Sequence, residues 1–198
     1  MTFEHQLGTY IHDHMQRKLI PGLSLAVIKD GERGPMSEQR LRIGIIGIGW
    51  YAATVLIPKL RETGRVEIVA IARRRADRLA LAQRELKIGE AYTDWQEMLE
   101  KSALDAVVVC TPPNAHTEPT LVALERGLHV FVEKPMALKS EDAQRMVSAM
   151  QADRVLMVGY NARGMGGWRT IHHLLTEGAI GTTRQVDATA CVDARIFW

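Results

Sequence analysis

Five short stretches combine residue types and spacing that could do chemistry. Gly47-Ile48-Gly49-Trp50-Tyr51-Ala52 is a G-x-G-x-x-A turn placed after an apolar run ending at Ile46. Such a turn bends sharply at its first glycine, bares its backbone at the second, and lets a helix pack close at the small third position. The N-H groups and dipole at the start of that helix then hold an anion such as a pyrophosphate. Ala72-Arg73-Arg74-Arg75 ends the next apolar run. A domain that grips a ribose 2′-hydroxyl usually has an Asp or Glu there; Ala72 takes that place, and two arginine forks follow that could bond a 2′-phosphate. Thr111-Pro112-Pro113-Asn114-Ala115-His116 follows the third run and Glu133-Lys134-Pro135 the fourth, so a carboxylate, an ammonium and a rigid turn meet at one edge. An ion pair at a ligand crevice suggests function, because burying one for packing alone is costly. Asn161 and Arg163 come after the fifth run.

The elements that position these residues can be read from the pattern. LRIGIIG, VEIVAIA, DAVVVCT, LHVFVE and VLMVGY are short and rich in Val and Ile, as buried parallel strands are. Between them AATVLIPKLRETG, RADRLALAQREL, DWQEMLEKS, NAHTEPTLVALERG and SEDAQRMVSAMQ have helical spacing, with Gly64 and Gly127 as C-caps and Ser140 as a capped start. Strand and helix in alternation predict right-handed crossovers and an α/β doubly wound parallel sheet, a Rossmann fold. Ligands bind such sheets at the carboxyl ends of the strands, where all five stretches fall. For a dinucleotide this predicts contacts from Gly47, Ile48, Gly49, Trp50, Arg73 and Arg74, with Thr111, Pro112, Asn114, His116, Glu133 and Lys134 on the same ligand-binding edge. The missing acid and the two arginines point to NADP, with NAD as the alternative.

The series GIIGIGWYA, AIARR, DAVVVCTPPNAH, GLHVFVEKPMA and VGYNAR resembles the N-terminal domain of the Gfo/Idh/MocA oxidoreductases from Leu41 to about Gly181. Glu-Lys-Pro is its most discriminating part. The resemblance implies hydride transfer between a nicotinamide cofactor and a sugar, cyclitol or similar secondary alcohol or ketone. It places Thr111, Pro112, Asn114, His116 and Glu133 along the nicotinamide half, and Lys134 as the catalytic group beside the reacting substrate oxygen. Asn161 and Arg163 would lie toward the substrate, and Gly164 replaces the family's usual aromatic. A methyltransferase-like domain could use the same glycine turn for a nucleoside, but it leaves Glu133-Lys134-Pro135 without a role.

The chain reads as three parts: an appendage over 1–35, the dinucleotide-binding domain over 36–159, and the start of an α+β substrate domain over 160–198. Ile20 to Gly31, IPGLSLAVIKDG, resembles the opening of serine β-lactamase-type hydrolases, but the chain has no Ser-x-x-Lys to act as nucleophile. At the other end come one helix, WRTIHHLLTEGAIG, and one strand, TRQVDATACVDARIF, whose apolar face could drive self-association. The family's downstream histidine is missing, so binding with little turnover, by a non-catalytic NADP-binding module or a fragment, is the alternative expectation.

Composition agrees with an ordinary globular protein, at 46% hydrophobic and 24% charged residues. A formal net charge of +2 is too small to favour nucleic acid or an anionic membrane. Cys110 and Cys191 form no disulfide framework, and no apolar run reaches the roughly 20 residues that span a bilayer, so a cytoplasmic location is expected. No metal is expected, because neither His12 with His14 nor His172 with His173 shares one helix face.

Overall fold

The computed structural model describes residues 40–161, 166–185 and 187. The β-lactamase-like stretch, Arg163 and most of the expected C-terminal strand lie outside them. Six strands form one sheet: β1 (Leu41–Ile46), β2 (Val66–Ala72), β3 (Glu90–Tyr92), β4 (Ala106–Val109), β5 (His129–Val132) and β6 (Leu156–Val158). Every pairing is parallel and the order is β3-β2-β1-β4-β5-β6. β1 lies centrally between β2 and β4, so the chain reverses its winding there. That reversal opens a crevice at the strand ends.

The helices are α1 (Ile57–Glu62), α2 (Ala76–Leu86), α3 (Trp95–Lys101), α4 (Thr117–Glu125), α5 (Ser140–Ser148) and α6 (Gly166–Thr176). Alternating side chains split the strands between two cores. Ile43, Ile45, Ile68 and Ile71 pack with Leu56, Ile57, Leu60 and Leu79 on one face. Ile46, Val69, Val107, Val109 and Val132 pack with Met98, Leu99, Ala123 and Leu124 on the other. Apolar cover on both faces is why these strands read as continuous Val and Ile runs.

The expected α/β doubly wound sheet is present, with differences in detail. β3 was not among the five predicted strands, because its three residues, Glu90-Ala91-Tyr92, carry no periodic signal and are held by pairing with β2. The first predicted helix has π winding over Ala52–Leu56 and continues without a break into the α-helical part, where Pro58, which has no N-H to give the preceding turn, follows directly on the π segment. Gly64 and Gly127 do take left-handed backbones, with φ of 68° and 72°. Ser140 does not cap α5. Lys139 occupies the cap position, and the Ser140 hydroxyl bonds Glu141 instead. A side-chain cap closes α3, where Asp94 accepts from the Gln96 N-H at 2.9 Å. Beyond α6, Thr183 to Gln185 and Asp187 have no strand structure.

Candidate functional site

Ladder hydrogen bonds bring the sequence motifs to one edge. Gly47 N-H donates to the Ala72 carbonyl at 2.9 Å, Cys110 to Ile46 at 2.7 Å, Glu133 to Val109 at 2.9 Å, and Gly159 to Val132 at 2.8 Å. The residues just after β1, β2, β4, β5 and β6 therefore border one crevice. Gly47 has φ +91°, and a Cβ there would lie 2.7 Å from the Cys110 carbonyl group and the Thr111 nitrogen. Only glycine allows the first turn to approach the loop after β4 so closely. A Cβ on Gly49 would meet nothing within 4 Å, which leaves open space beside the backbone where a ligand would stand. Ile48 and Ala52 are buried in the core, so Ile48 can offer a ligand only its backbone. Trp50 is 55% exposed at the head of the helix.

The three arginines after β2 separate. Arg73 is half-buried and its guanidinium donates to the Ile48 carbonyl at 2.5 Å, which ties it to the glycine turn. Arg75 pairs with Asp77 at 2.7 Å on the surface, and both groups are held in their charged forms by that bond. Arg74 is exposed, and its side chain makes no hydrogen bond or ion pair among the described residues.

At the other side of the crevice, Thr111 donates its hydroxyl to the Ala115 carbonyl at 3.0 Å, while Pro112 and Asn114 are exposed. His116 is 1% exposed, with Nδ1 2.9 Å from the Pro135 carbonyl oxygen and Nε2 2.8 Å from that of Thr111. Both ring nitrogens face backbone, so the ring presents no polar atom to the crevice. Lys134 is exposed, and its backbone N-H donates to the Glu133 carboxylate at 3.1 Å. Burial pushes the Glu133 carboxyl above its ordinary range, against the lowering pull of the Lys134 N-H and of the Lys134 and His116 charges. Glu133 lies close against Gly159, where a Cβ would be 3.0 Å from its Oε1 and would press the carboxylate aside.

Tyr51 and Gly159 are neighbours of Glu133 that the sequence reading did not single out. Burial, then Glu133 and Cys110, raise the Tyr51 phenol, and a hydrogen bond to Asn161 opposes them. That bond joins the first helix to the stretch after β6. Tyr51 lies within the glycine turn motif and Gly159 closes the β6 run, so both were in view, but only the fold brings them to Glu133. The Cys110 thiol is pushed well up by burial and by Glu133, which makes it no nucleophile. Among the described residues no group of three His, Cys, Asp or Glu side chains could hold a metal, and no helix is long and apolar enough to cross a membrane.

Residues 41–160 match the family profile described as an oxidoreductase family with an NAD-binding Rossmann fold, GFO_IDH_MocA. This chain belongs to the Gfo/Idh/MocA family. Among its curated relatives, the myo-inositol 2-dehydrogenase of Thermotoga maritima is 33% identical over 142 residues, covering 71% of this chain and 42% of the relative. The 1,5-anhydro-D-fructose reductase of Ensifer adhaerens is 36% identical over 141 residues, with coverage of 71% and 42%. The solved structure of scyllo-inositol dehydrogenase from Lactobacillus casei with bound NAD(H) and scyllo-inositol superposes with a TM-score of 0.63 at 27% identity, covering 72% of this chain and 43% of that one. The chain thus spans less than half the length of these family members, and what they share with it is the part that carries the NAD-binding fold.

Proposed function

We propose that the crevice binds a nicotinamide dinucleotide, and that the whole protein transfers hydride between it and a sugar, cyclitol or similar secondary alcohol or ketone. The observation that carries this reading is the arrival of Glu133 and Lys134, at the end of β5, on the edge that the Gly47–Ala52 turn opens at the end of β1. Ile48, Gly49 and Trp50 would hold the pyrophosphate through backbone N-H groups and the helix start, while Gly47, whose N-H is engaged with Ala72, shapes the turn. Thr111, Pro112, Asn114 and Glu133 would border the nicotinamide half. Asn161, already bonded to Tyr51, and Arg163 would face the substrate.

The residues present fit such a cofactor, because the space beside Gly49 at the head of the helix is open, with nothing within 4 Å of where a Cβ would stand. The nicotinamide, when bound, supplies the hydride chemistry. Lys134 has the exposed ammonium that could stabilise negative charge on the substrate oxygen and move its proton. NADP is our choice of cofactor, with NAD the alternative. Ala72 offers no carboxylate to repel a 2′-phosphate, Arg74 is exposed, and Arg73 already lies against the turn. A cytoplasmic location, where such cofactors are abundant, belongs to the same proposal.

Titration of the purified chain with NADPH, NADH and S-adenosylmethionine tests the ligand class, and a polyol and sugar panel with a Lys134→Ala variant tests the chemistry. NADPH binding with little or no turnover by this chain is the expected result. Robust turnover that the variant lacks would show that the chain alone builds the whole site, and binding of S-adenosylmethionine alone would overturn the proposal.

A further inference from the structure

His116 poses a donor-counting problem. Its ring is buried, and each nitrogen lies within ordinary N-H···O distance of a backbone carbonyl, Nδ1 at 2.9 Å from Pro135 and Nε2 at 2.8 Å from Thr111. A carbonyl oxygen only accepts, and a neutral imidazole has one N-H to give. A neutral ring would satisfy one carbonyl and set a nitrogen lone pair against the other. Turning the ring over exchanges both nitrogens for carbons and leaves both carbonyls facing C-H groups. The imidazolium donates twice and satisfies both.

We propose that His116 is a cationic clamp, an imidazolium that bonds the loop after β4 to the loop after β5 and so positions Lys134 beside the glycine turn. The two anchor points lie on the elements that matter. Thr111 N is the atom against which Gly47 turns, and Pro135 directly follows Lys134. The ring thereby joins the ends of β4 and β5, and the first of these lies against the Gly47 turn. The charges around it are Glu133, whose carboxylate interacts with the His116 charge, and Lys134 beside that carboxylate. Glu118, in the first turn of α4, is engaged with Arg145 at 3.2 Å. The positive end of the α4 dipole opposes a cation at this cap position, while two charge-assisted hydrogen bonds and the Glu133 carboxylate favour it. His116 acts here as a positioning residue, through the loops it ties.

The role assigned to Lys134 rests on the proposed function, but the proton count on the ring does not. The experiment is long-range proton–nitrogen correlation NMR on the full, nitrogen-15-labelled chain at neutral pH, with His116→Gln identifying the signals. Two protonated ring nitrogens are expected, and one bare nitrogen overturns the clamp. His116→Gln should lower NADH and NADPH affinity alike by about tenfold while the chain still unfolds cooperatively. Should that variant fail to fold, His116→Asn takes its place in the same binding titration. Unchanged affinity in a folded variant refutes the positioning role. A chain that binds neither dinucleotide refutes the proposed function and the Lys134 role together. A neutral ring in a chain that does bind refutes this inference alone.

Discussion

The guanidinium of Arg73 donates to the carbonyl of Ile48, so the side chain that closes the second strand also holds the glycine turn after the first. Arg73 and Arg74 therefore have different work to do despite their adjacency. Arg74→Ala should weaken NADPH binding by about tenfold, the loss of one charge-assisted hydrogen bond, and leave NADH binding nearly unchanged. Arg73→Ala should weaken both cofactors, because it also frees the turn. Fluorescence titration of each variant with both cofactors checks this, and equal affinities of the unaltered chain for NADPH and NADH would sink the NADP preference.

The two glycines of the turn should separate folding from binding. Gly47→Ala puts a Cβ 2.7 Å from the backbone of Cys110 and Thr111 at φ +91°, so it should cost about 3 kcal/mol of stability. Gly49→Ala meets nothing within 4 Å, so its stability should change by less than about 0.5 kcal/mol while dinucleotide affinity falls. Denaturant unfolding beside a binding titration gives both numbers.

Glu133 should make stability fall as pH rises. Its carboxyl is raised above the ordinary 4.5, chiefly by burial, so between that value and its raised one the folded chain holds more protons than the unfolded chain. Stability drops across that window and stays lower above it. Glu133→Gln, which keeps an oxygen for the Lys134 N-H, should be the more stable chain at neutral pH, and the gain should vanish as pH falls below the ordinary carboxylate value. Thermal unfolding of both chains across pH measures the difference.

The family match starts at residue 41, and every residue proposed for the cofactor lies after it. A chain that starts at Met36 should bind NADPH as tightly as the full chain does. A folded, shortened chain that has lost binding would show that the first 35 residues contribute to the site.

How much of this was legible depended on whether a residue's role is local. The Val and Ile runs announced five strands because both sheet faces are covered, and the glycine turn announced its own place because its conformation is set by its own residues. β3 was missed because three residues with half-buried side chains take their strand form from β2 rather than from their own pattern. His116 was read as one more group along the nicotinamide, whereas its ring turns to a carbonyl 19 residues away, a partner that no spacing within TPPNAH encodes. Gly159 comes against Glu133, and Tyr51 under its electrostatic influence, for the same reason, through the tertiary fold alone.

The placement of β1 between β2 and β4 bears on kinetics as well as on ligand geometry. The Gly47 turn and the Thr111 loop face each other only after β1 has paired with a strand that is made much later in the chain. Parallel pairing of this kind forms slowly, because a long crossover must close before any contact rewards it. A dinucleotide held between those loops would have no foothold on a half-folded chain. Its binding energy would then appear mainly as resistance to opening, so that a saturated protein is protected from proteases and heat while its refolding is not hastened.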